Sequence, residues 1–283
     1  MPSSSDKSRW RGLTPGRIVF TLFVWGLGFT MLFPLLWMIS TSLKAPGKEY
    51  IMPPSLIPDP VHWRNYLEVF RAMPFGRFLF NTCLVTVAVT FGQALTCSMA
   101  AFAFSRLKFP GRDKIFLLYL TTLMIPGVVT LIPLFVIMQY FGWIDTYQAL
   151  IIPGLFSAYG TFLLRQFFLG IPLALEDSAH IDGCGPWGVY WNVILPLSKP
   201  ALVTLIIFTF MGAWRDFLWP LVITNSLEMR TLTVGLSIFR GAYVSDWNLM
   251  MAGSCLVMAP LVFVFLFNQR FFVEGIQLTG IKG

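Results

Sequence analysis

The chain has 283 residues, of which 56% are hydrophobic and only 12% are charged, and its formal net charge is +7. That charged fraction is about half of what a soluble domain carries, so the composition excludes an ordinary water-soluble protein. Uncharged runs as long as those seen here cannot all be hidden in one soluble core, and the sequence therefore predicts a membrane protein.

Long apolar segments predict six membrane-crossing helices, because about 20 apolar residues are needed to cross the hydrocarbon. The predicted spans are residues 18–40, 78–105, 115–137, 146–164, 200–224 and 247–269. Only the fifth span contains charged residues, Arg215 and Asp216. Continuous runs favour helices over a transmembrane barrel, whose strands would be short and alternating. We therefore expect an all-α, multi-pass protein with a single transmembrane domain, residues 1–283.

The distribution of basic residues predicts the orientation of these spans. The loop after the second span holds Arg106, Lys108, Arg112 and Lys114, whereas residues 139–145 hold no basic residue. Lysine and arginine are enriched in cytoplasmic loops, so this basic loop and both termini are predicted to be cytoplasmic. The same rule gives a cytoplasmic N-terminal segment (1–17), an extracytoplasmic loop (41–77), a cytoplasmic loop (172–199) and a cytoplasmic tail (273–283). The basic residues form no continuous stripe, so their partner is expected to be anionic lipid and not nucleic acid.

The extracytoplasmic loop contains a short amphipathic stretch. Trp63, Tyr66, Leu67 and Phe70 follow helical spacing and share one face. Such a face is typical of a helix on the membrane surface or of a docking face for an outside partner.

Residues suited to catalysis or metal binding are scattered. The four cysteines have no C-x-x-C spacing, and His62 and His180 lie on opposite sides of the membrane in the predicted topology. The nucleotide-binding motif G-x-x-x-x-G-K-[ST] is absent from the sequence. We therefore expect no metal site, no cofactor bound by this chain and no enzymatic activity of its own, so that any ATP would be hydrolysed by a partner.

Residues 172–199 form a polar, glycine-punctuated island between two apolar spans. Pro172 is suited to open a helix, and Glu176 and Asp177 would fall in its first turns, where carboxylates are favoured by the helix dipole. Gly183 is a natural helix stop. A second short helical stretch is predicted at residues 187–193. The result would be a helix-turn-helix, called here the knuckle (residues 172–199), and loops of this length are usually functional.

The segment "EDSAHIDGCGPWGVYWNVILPLSKP" resembles the EAA motif of ATP-binding-cassette importer permeases, in which E-A-A, three residues, glycine and nine residues precede I-x-L-P. Three positions depart from that motif, with aspartate for glutamate, serine for alanine and valine for isoleucine, and each keeps the charge, size or branching. The residues that the resemblance assigns to ATPase coupling are Glu176, Asp177, Ser178, Ala179, Asp182, Gly183, Val193, Leu195 and Pro196.

The resemblance covers nearly the whole chain. "FLLRQFFLGIP", "FMGAWRDFLWPL" and "NQRFFVEGIQLTGIKG" are similar to the second permease subunit of maltose-type carbohydrate importers. This likeness implies the type I importer permease fold in a bacterial inner membrane, sugar or polyol as substrate, and alternating access driven by ATP. The implied partners are a second permease subunit, two ATPase subunits that carry ATP and Mg²⁺, and an extracytoplasmic substrate-binding protein.

Two further groups of residues have alternative interpretations. The tail residues Gly280, Ile281, Lys282 and Gly283 either reach between the ATPases, as the resemblance implies, or form a frayed end. Charges within a span are expected to face the bundle interior, a water-filled cavity or the outer interface. Candidates for the substrate path, with packing as the alternative role, are Gln93, Trp214, Arg215, Asp216 and Trp219.

A secondary carrier and a membrane-embedded enzyme are the two alternatives to ATP-driven import. A proton-coupled secondary carrier would usually show inverted repeats and several buried acids. A membrane-embedded enzyme would need paired acids, an activated nucleophile or a metal cluster within the spans. Neither pattern is present in the sequence.

Overall fold

The structure is a computed structural model that describes residues 15–240 and 246–280, with side chains for residues 16–240 and 246–267. The described residues form helices joined by loops, which confirms the predicted all-α class. The first half of the chain contains α1 (Pro15–Ser42), α2 (Arg64–Ala72), α3 (Phe75–Arg106), α4 (Arg112–Thr121), α5 (Gly127–Tyr140), α6 (Tyr147–Ile151) and α7 (Ala158–Leu169).

The second half begins with the knuckle and ends with the longest helix of the described residues. Its helices are α8 (Leu173–Ile181), α9 (Pro186–Val189), α10 (Leu195–Leu197), α11 (Lys199–Trp214), α12 (Leu218–Ile223), α13 (Leu232–Gly235) and α14 (Trp247–Gly280). A π-helical turn, Tyr190–Ile194, joins α9 to α10.

Among the described residues, four helical segments are long and apolar enough to cross a membrane, and there are up to six if each of two bent helix pairs counts as one span. The four are Gly16–Ser42, Phe75–Arg106, Tyr147–Leu169 and Trp247–Phe267. The bent pairs are Arg112–Met124 with Gly127–Tyr140, at 103°, and Pro186–Leu197 with Lys199–Trp214, at 78°. The predicted six crossings are the upper end of this range, although the second bent pair includes residues 186–197, which the prediction places in the cytoplasmic loop.

The third predicted span is not one straight helix, because a proline interrupts it. Ile125 has extended backbone angles and directly precedes Pro126, which caps α5. A residue before proline is pushed out of the helical region by contact with the proline ring. The chain consequently bends sharply between α4 and α5.

The fifth predicted span also ends earlier than predicted, since α11 stops at Trp214 and α12 begins only at Leu218. A continuous helix would need a backbone N–H at residue 220, and Pro220 has none. In the short α12, Pro220 falls in the first turn, where no N–H is required. Arg215 and Asp216 therefore lie in a break between two helices and not inside one.

α3 is the central helix of the bundle and packs along both α7 and α11. At its Arg106 end, a buried cluster joins α3, α7, the knuckle and the start of α11. At its Phe75 end, two further clusters join α3 to α2, α14 and the loops around α5, α6 and α12. The two ends of the bundle are called here the knuckle end and the opposite end.

Candidate functional site

The knuckle folds as the predicted helix-turn-helix, and its turn depends on one glycine. Gly183 has a φ of +83°, in the left-handed region. The N–H of Cys184 donates to the carbonyl of Ala179 at 2.9 Å, and the N–H of Gly183 donates to the carbonyl of His180 at 3.0 Å. These two bonds form a Schellman motif, which satisfies the last carbonyls of α8. A Cβ built on Gly183 would meet nothing within 4 Å, so the glycine is required by backbone conformation and not by lack of space.

The structure does not place all nine residues of the EAA set on one surface. The exposed members are Asp177, Ser178, Asp182, Gly183 and Pro196. Val193 and Leu195 are half-buried against the cluster at the knuckle end, and Ala179 belongs to that cluster. Glu176 is also buried and points away from the exposed face.

The outer face of the knuckle also presents large apolar side chains that motif matching did not identify. Ile181 is 86% exposed and Trp187 is 61% exposed, although both lie outside the predicted membrane spans. Leu173, Trp191 and Leu197 are exposed as well. The sequence signal for these side chains was their occurrence within a segment that is otherwise polar. Exposed apolar groups of this size are typical of a protein contact.

A buried ion pair anchors the inner face of the knuckle to α3. Nε of Arg106, the last residue of α3, lies 2.7 Å from Oε1 of Glu176, and the two side chains are only 6% and 10% exposed. Nη2 of Arg106 also donates to the carbonyls of Phe168 and Ile171, at 2.6 and 2.7 Å, at the end of α7. Burial raises the pKa of the Glu176 carboxyl, while the Arg106 charge acts in the opposite direction.

A second contact joins the π-helical turn to α3. The hydroxyl of Tyr190, a residue with no exposed surface, lies 2.8 Å from Oγ of Ser98. The Tyr190 ring packs on Phe102 at 5.3 Å between ring centroids. No sequence motif indicated Arg106, Tyr190 or Ser98 as site residues. Arg106 counted only as one of four basic residues that predict orientation.

A cavity of about 290 Å³ lies farther along α3, toward the opposite end. It contains three of the five predicted path residues, Gln93, Asp216 and Trp219. The residues that line it are Thr82, Val85, Val89, Gln93, Leu150, Gly154, Thr209, Gly212, Ala213, Asp216, Trp219, Pro220 and Thr231.

Hydrogen bonds hold the polar side chains of the cavity in place. Gln93 donates from Nε2 to the carbonyl of Gly154 at 3.0 Å and accepts from the hydroxyl of Thr209. Trp219 donates from Nε1 to the carbonyl of Ala149 at 2.9 Å. The lining contains threonine hydroxyls, one amide and one carboxylate, and no lysine, arginine or histidine. Such a surface suits a neutral ligand that can donate and accept hydrogen bonds.

The other two predicted path residues lie elsewhere. Trp214 is 4% exposed, stacks on Phe210 and donates from Nε1 to the carbonyl of Val257 at 3.0 Å, so it packs α11 against α14. Arg215 is exposed and does not line the cavity. Of the four tail residues, Gly280 ends α14, and Ile281, Lys282 and Gly283 lie outside the described residues.

Polar contacts at the opposite end fix the loops around the cavity. Asn81 is fully buried, donates to the carbonyls of Glu228 and Arg230 at 2.7 and 2.9 Å, and accepts from the hydroxyl of Tyr147. Oδ1 of Asp145 accepts from the backbone N–H groups that follow α12, those of residues 225 and 226. These contacts hold the loop after α12 against the rest of the bundle.

The sequence is similar to those of known membrane transport proteins. The family described as binding-protein-dependent transport system inner membrane component matches residues 92–277. The arabinooligosaccharides transport system permease protein AraQ of Bacillus subtilis is 33% identical over 270 residues, which cover 94% of this chain and 96% of AraQ. The sn-glycerol-3-phosphate transport system permease protein UgpE of Yersinia enterocolitica is 35% identical over 254 residues, covering 87% of this chain and 90% of UgpE.

A solved structure has the same fold. A chain of a bacterial ABC transporter involved in the import of the acidic polysaccharide alginate superposes with a TM-score of 0.82 at 22% identity. The superposition covers 92% of this chain and 99% of that chain. The likeness extends over the knuckle, α3 and the cavity together, because nearly the full length is matched.

Proposed function

Because this chain belongs to the family of inner-membrane components of binding-protein-dependent transport systems, we propose that it forms half of a path for a sugar or polyol that is opened by ATP hydrolysis in partner subunits. The chain is a multi-pass permease subunit of the inner membrane and not an enzyme. The comparisons give no support to the alternative of a proton-coupled secondary carrier. The observation that carries the proposal is the pairing of a rigid, outward-facing knuckle with a polar cavity in one bundle.

The knuckle is the proposed contact for an ATPase subunit. Asp177, Ser178 and Asp182 would offer polar and charged contacts, and Ile181 and Trp187 would supply apolar area to be buried. Interfaces of this kind combine an aromatic centre with a polar rim. ATP and Mg²⁺ would be held entirely by the ATPases, which close on each other and move the knuckle as a rigid body.

The knuckle and both termini are proposed to be cytoplasmic. This orientation rests on the basic residues of the loop after α3, which lies at the knuckle end, beside the Arg106 anchor. The other proposed partners are a second permease subunit, which would complete the path, and a substrate-binding protein on the outer side. The Arg106 end would therefore face the ATPases, and the Asn81 end would face the binding protein.

The cavity supports a neutral substrate. The two relatives named above transport an oligosaccharide and a phosphorylated polyol, respectively. A phosphate group in a partly buried site would need a basic partner, and among the described residues that line the cavity the only ionisable one is the acid Asp216. The lining therefore favours an uncharged sugar or polyol over glycerol 3-phosphate. Gln93, Thr82, Thr209 and Thr231 would provide hydrogen bonds to hydroxyl groups, and Trp219 would provide an aromatic face.

Reconstitution of the complete transporter tests this proposal. The chain, its partner permease, the ATPase and the binding protein are incorporated into liposomes with ATP on the ATPase side. Uptake of radiolabelled arabinotriose, maltose and glycerol 3-phosphate is then measured. We expect ATP-dependent uptake of at least one neutral sugar and no uptake of glycerol 3-phosphate.

Two outcomes would contradict the proposal. Uptake driven by a proton gradient in liposomes that lack the ATPase would establish a secondary carrier. Uptake of glycerol 3-phosphate in preference to both sugars would contradict the neutral-substrate assignment. An ATPase variant without hydrolysis is the matched control and should abolish uptake.

A further inference from the structure

α3 is in contact with both the cavity and the knuckle. Thr82, Val85, Val89 and Gln93 lie in its first two-thirds and line the cavity. Ser98, Phe102 and Arg106 lie in its last third and hold the knuckle. The helical rise places Gln93 about 20 Å from Arg106 along the axis. α3 is one continuous helix of 32 residues and contains no proline, so the commonest cause of a sharp kink is absent between the two sites.

The contacts of Arg106 tie three elements to one side chain. Its guanidinium donates to the carbonyls of Phe168 and Ile171 and lies against the carboxylate of Glu176. One planar guanidinium therefore makes two hydrogen bonds, both from Nη2, and a charge contact from Nε, and lysine lacks this fork of donors. Removing one partner of a buried ion pair leaves the other charge uncompensated, so the pair strongly favours the joined arrangement.

The knuckle is also continuous with its neighbours in sequence, and it packs with both of them in the buried cluster at the knuckle end. It is connected to α7 through the turn at residues 170–172 and to α11 through a bend of 78° near Ser198. Its side-chain polar contacts to α3 are at two points, Arg106 and Ser98, which lie about 12 Å apart on the helix. Two separated points prevent rotation of the knuckle about either one.

We propose that α3 is the lever that carries movement of the knuckle to the cavity, with Arg106 and Glu176 as the positioning residues that fix the knuckle to it. This inference rests on the proposed docking of the knuckle on an ATPase. α11 also lines the cavity, through Thr209, Gly212 and Ala213, and it moves together with α3, along which it packs. Glu176 thus acts inside this chain, whereas Asp177, its neighbour, faces the partner.

Transport coupling is the first test. Glu176→Gln and Arg106→Lys are introduced into the complete transporter in liposomes, and sugar uptake per ATP hydrolysed is measured together with ATPase co-purification. The matched control is Asp113→Asn, which removes an exposed carboxylate that pairs with Arg112 and Arg165 at the same end of the bundle. We expect normal co-purification and a loss of uptake per ATP on the order of tenfold for Glu176→Gln. A smaller loss is expected for Arg106→Lys, and no change for the control.

Two results would overturn the inference. Wild-type uptake per ATP in Glu176→Gln would show that the pair does not transmit movement. Loss of ATPase co-purification in proportion to uptake would show that Glu176 only maintains the fold of the knuckle.

A distance measurement is the second test. Spin labels are attached at Asn192→Cys on the knuckle and Phe91→Cys on α3, both at exposed positions, in a background whose four native cysteines are replaced by alanine. We expect the same distance in the nucleotide-free and ATP-trapped complexes, and a changed or broadened distance in the trapped complex when Glu176→Gln is added. A distance that differs between the two states without that substitution would overturn the lever.

The two experiments distinguish this inference from the proposed function. The distance measurement requires only nucleotide binding by the complex, so it tests α3 whatever solute is transported. Failure of sugar uptake with ATP turnover intact would count against the proposed substrate. The distance measurement would then still test whether α3 and the knuckle move together.

Discussion

Trp214 and Trp219 are two tryptophans of one short segment with different surroundings. Each donates its indole N–H to a backbone carbonyl, of Val257 and Ala149 respectively. Only Trp219 lines the cavity, whereas Trp214 is buried between α11 and α14. Sequence alone did not separate them, because the break after Trp214 changes the direction of the chain between the two residues.

We predict that Trp219→Phe raises the half-saturation concentration for sugar several-fold, because the phenyl ring offers a smaller surface to the ligand. Trp214→Phe loses an equivalent hydrogen bond but lies outside the cavity. It should leave half-saturation unchanged and lower thermal stability, by about 0.6–1.7 kcal/mol if the bond is typical of membrane helices. Uptake kinetics and thermal unfolding of the purified complex measure both. Equal changes in half-saturation for the two variants would contradict the cavity assignment.

The carboxylate of Asp145 stabilises the loop after α12 at the opposite end of the bundle, and this stabilisation should depend on pH. Burial alone would raise its pKa, but hydrogen bonds from Ser226 and Asn225 outweigh burial, and the pKa lies below its ordinary value. The stabilisation is therefore complete above the unfolded pKa, about 3.9, and is lost as pH falls through the lower folded value. Amide exchange at Asn225 and Ser226, corrected for intrinsic pH dependence, should accelerate in that acid range.

Asp145→Asn is the control for this effect. Asparagine tolerates the φ of +62° at this position and keeps one carbonyl oxygen as acceptor, but it does not titrate. The acid-dependent step should disappear in this variant. If it persists, the step belongs to another group.

At the scale of elements, the turn of the knuckle depends on the backbone of Gly183. Gly183→Val should weaken ATPase co-purification, since a β-branched residue at positive φ carries strain on the order of 1–3 kcal/mol and the Schellman turn would reopen. Gly183→Asn should retain most of the ATPase co-purification, because asparagine adopts the left-handed backbone conformation more readily than valine. Co-purification from detergent-solubilised membranes measures the difference. Equal loss in both variants would point to crowding by the partner and not to backbone strain.

The elements that the sequence predicted well are those set by local chemistry. The long apolar runs predicted the spans, and Gly183 predicted the end of α8. The breaks at Pro126 and Pro220 were not predicted, although proline acts on its immediate neighbours. The spans were assigned by hydropathy, which does not register a bend.

Other features depend on residues distant in sequence. Glu176 and Asp177 are adjacent acids, and only the position of Arg106, on another helix, decides which one faces inward. Of the predicted apolar face at α2, Trp63, Leu67 and Phe70 are exposed and Tyr66 is half-buried, while Asn65 is fully buried. Asn65 donates to the carbonyl of Ser42, the last residue of α1, and to that of Lys44, two residues later. Such pairings come from tertiary packing and leave no local pattern.

Contacts at the two ends of the bundle show how many times the chain passes from one end to the other. Arg165 of α7 reaches Asp113 and the carbonyl of Phe104 at the knuckle end. At the opposite end, the N–H of Asp145 donates to the carbonyl of Ile223. The chain between Asp113 and Asp145 is α4 and α5, so this bent pair must pass from one end of the bundle to the other. It is therefore expected to count as one crossing in spite of its bend of 103°.

Cysteine accessibility tests this topology in cells. Lys108→Cys and Asn225→Cys place exposed thiols at the knuckle end and the opposite end, in the background without native cysteines. With the basic loop inside, a membrane-impermeant maleimide should label Asn225→Cys in intact cells and Lys108→Cys only after permeabilisation. The reverse pattern would invert the proposed orientation but keep the crossing. Labelling of both from one side would mean that α4 and α5 return to the side on which they began, because a pair bent this sharply can also form a re-entrant loop.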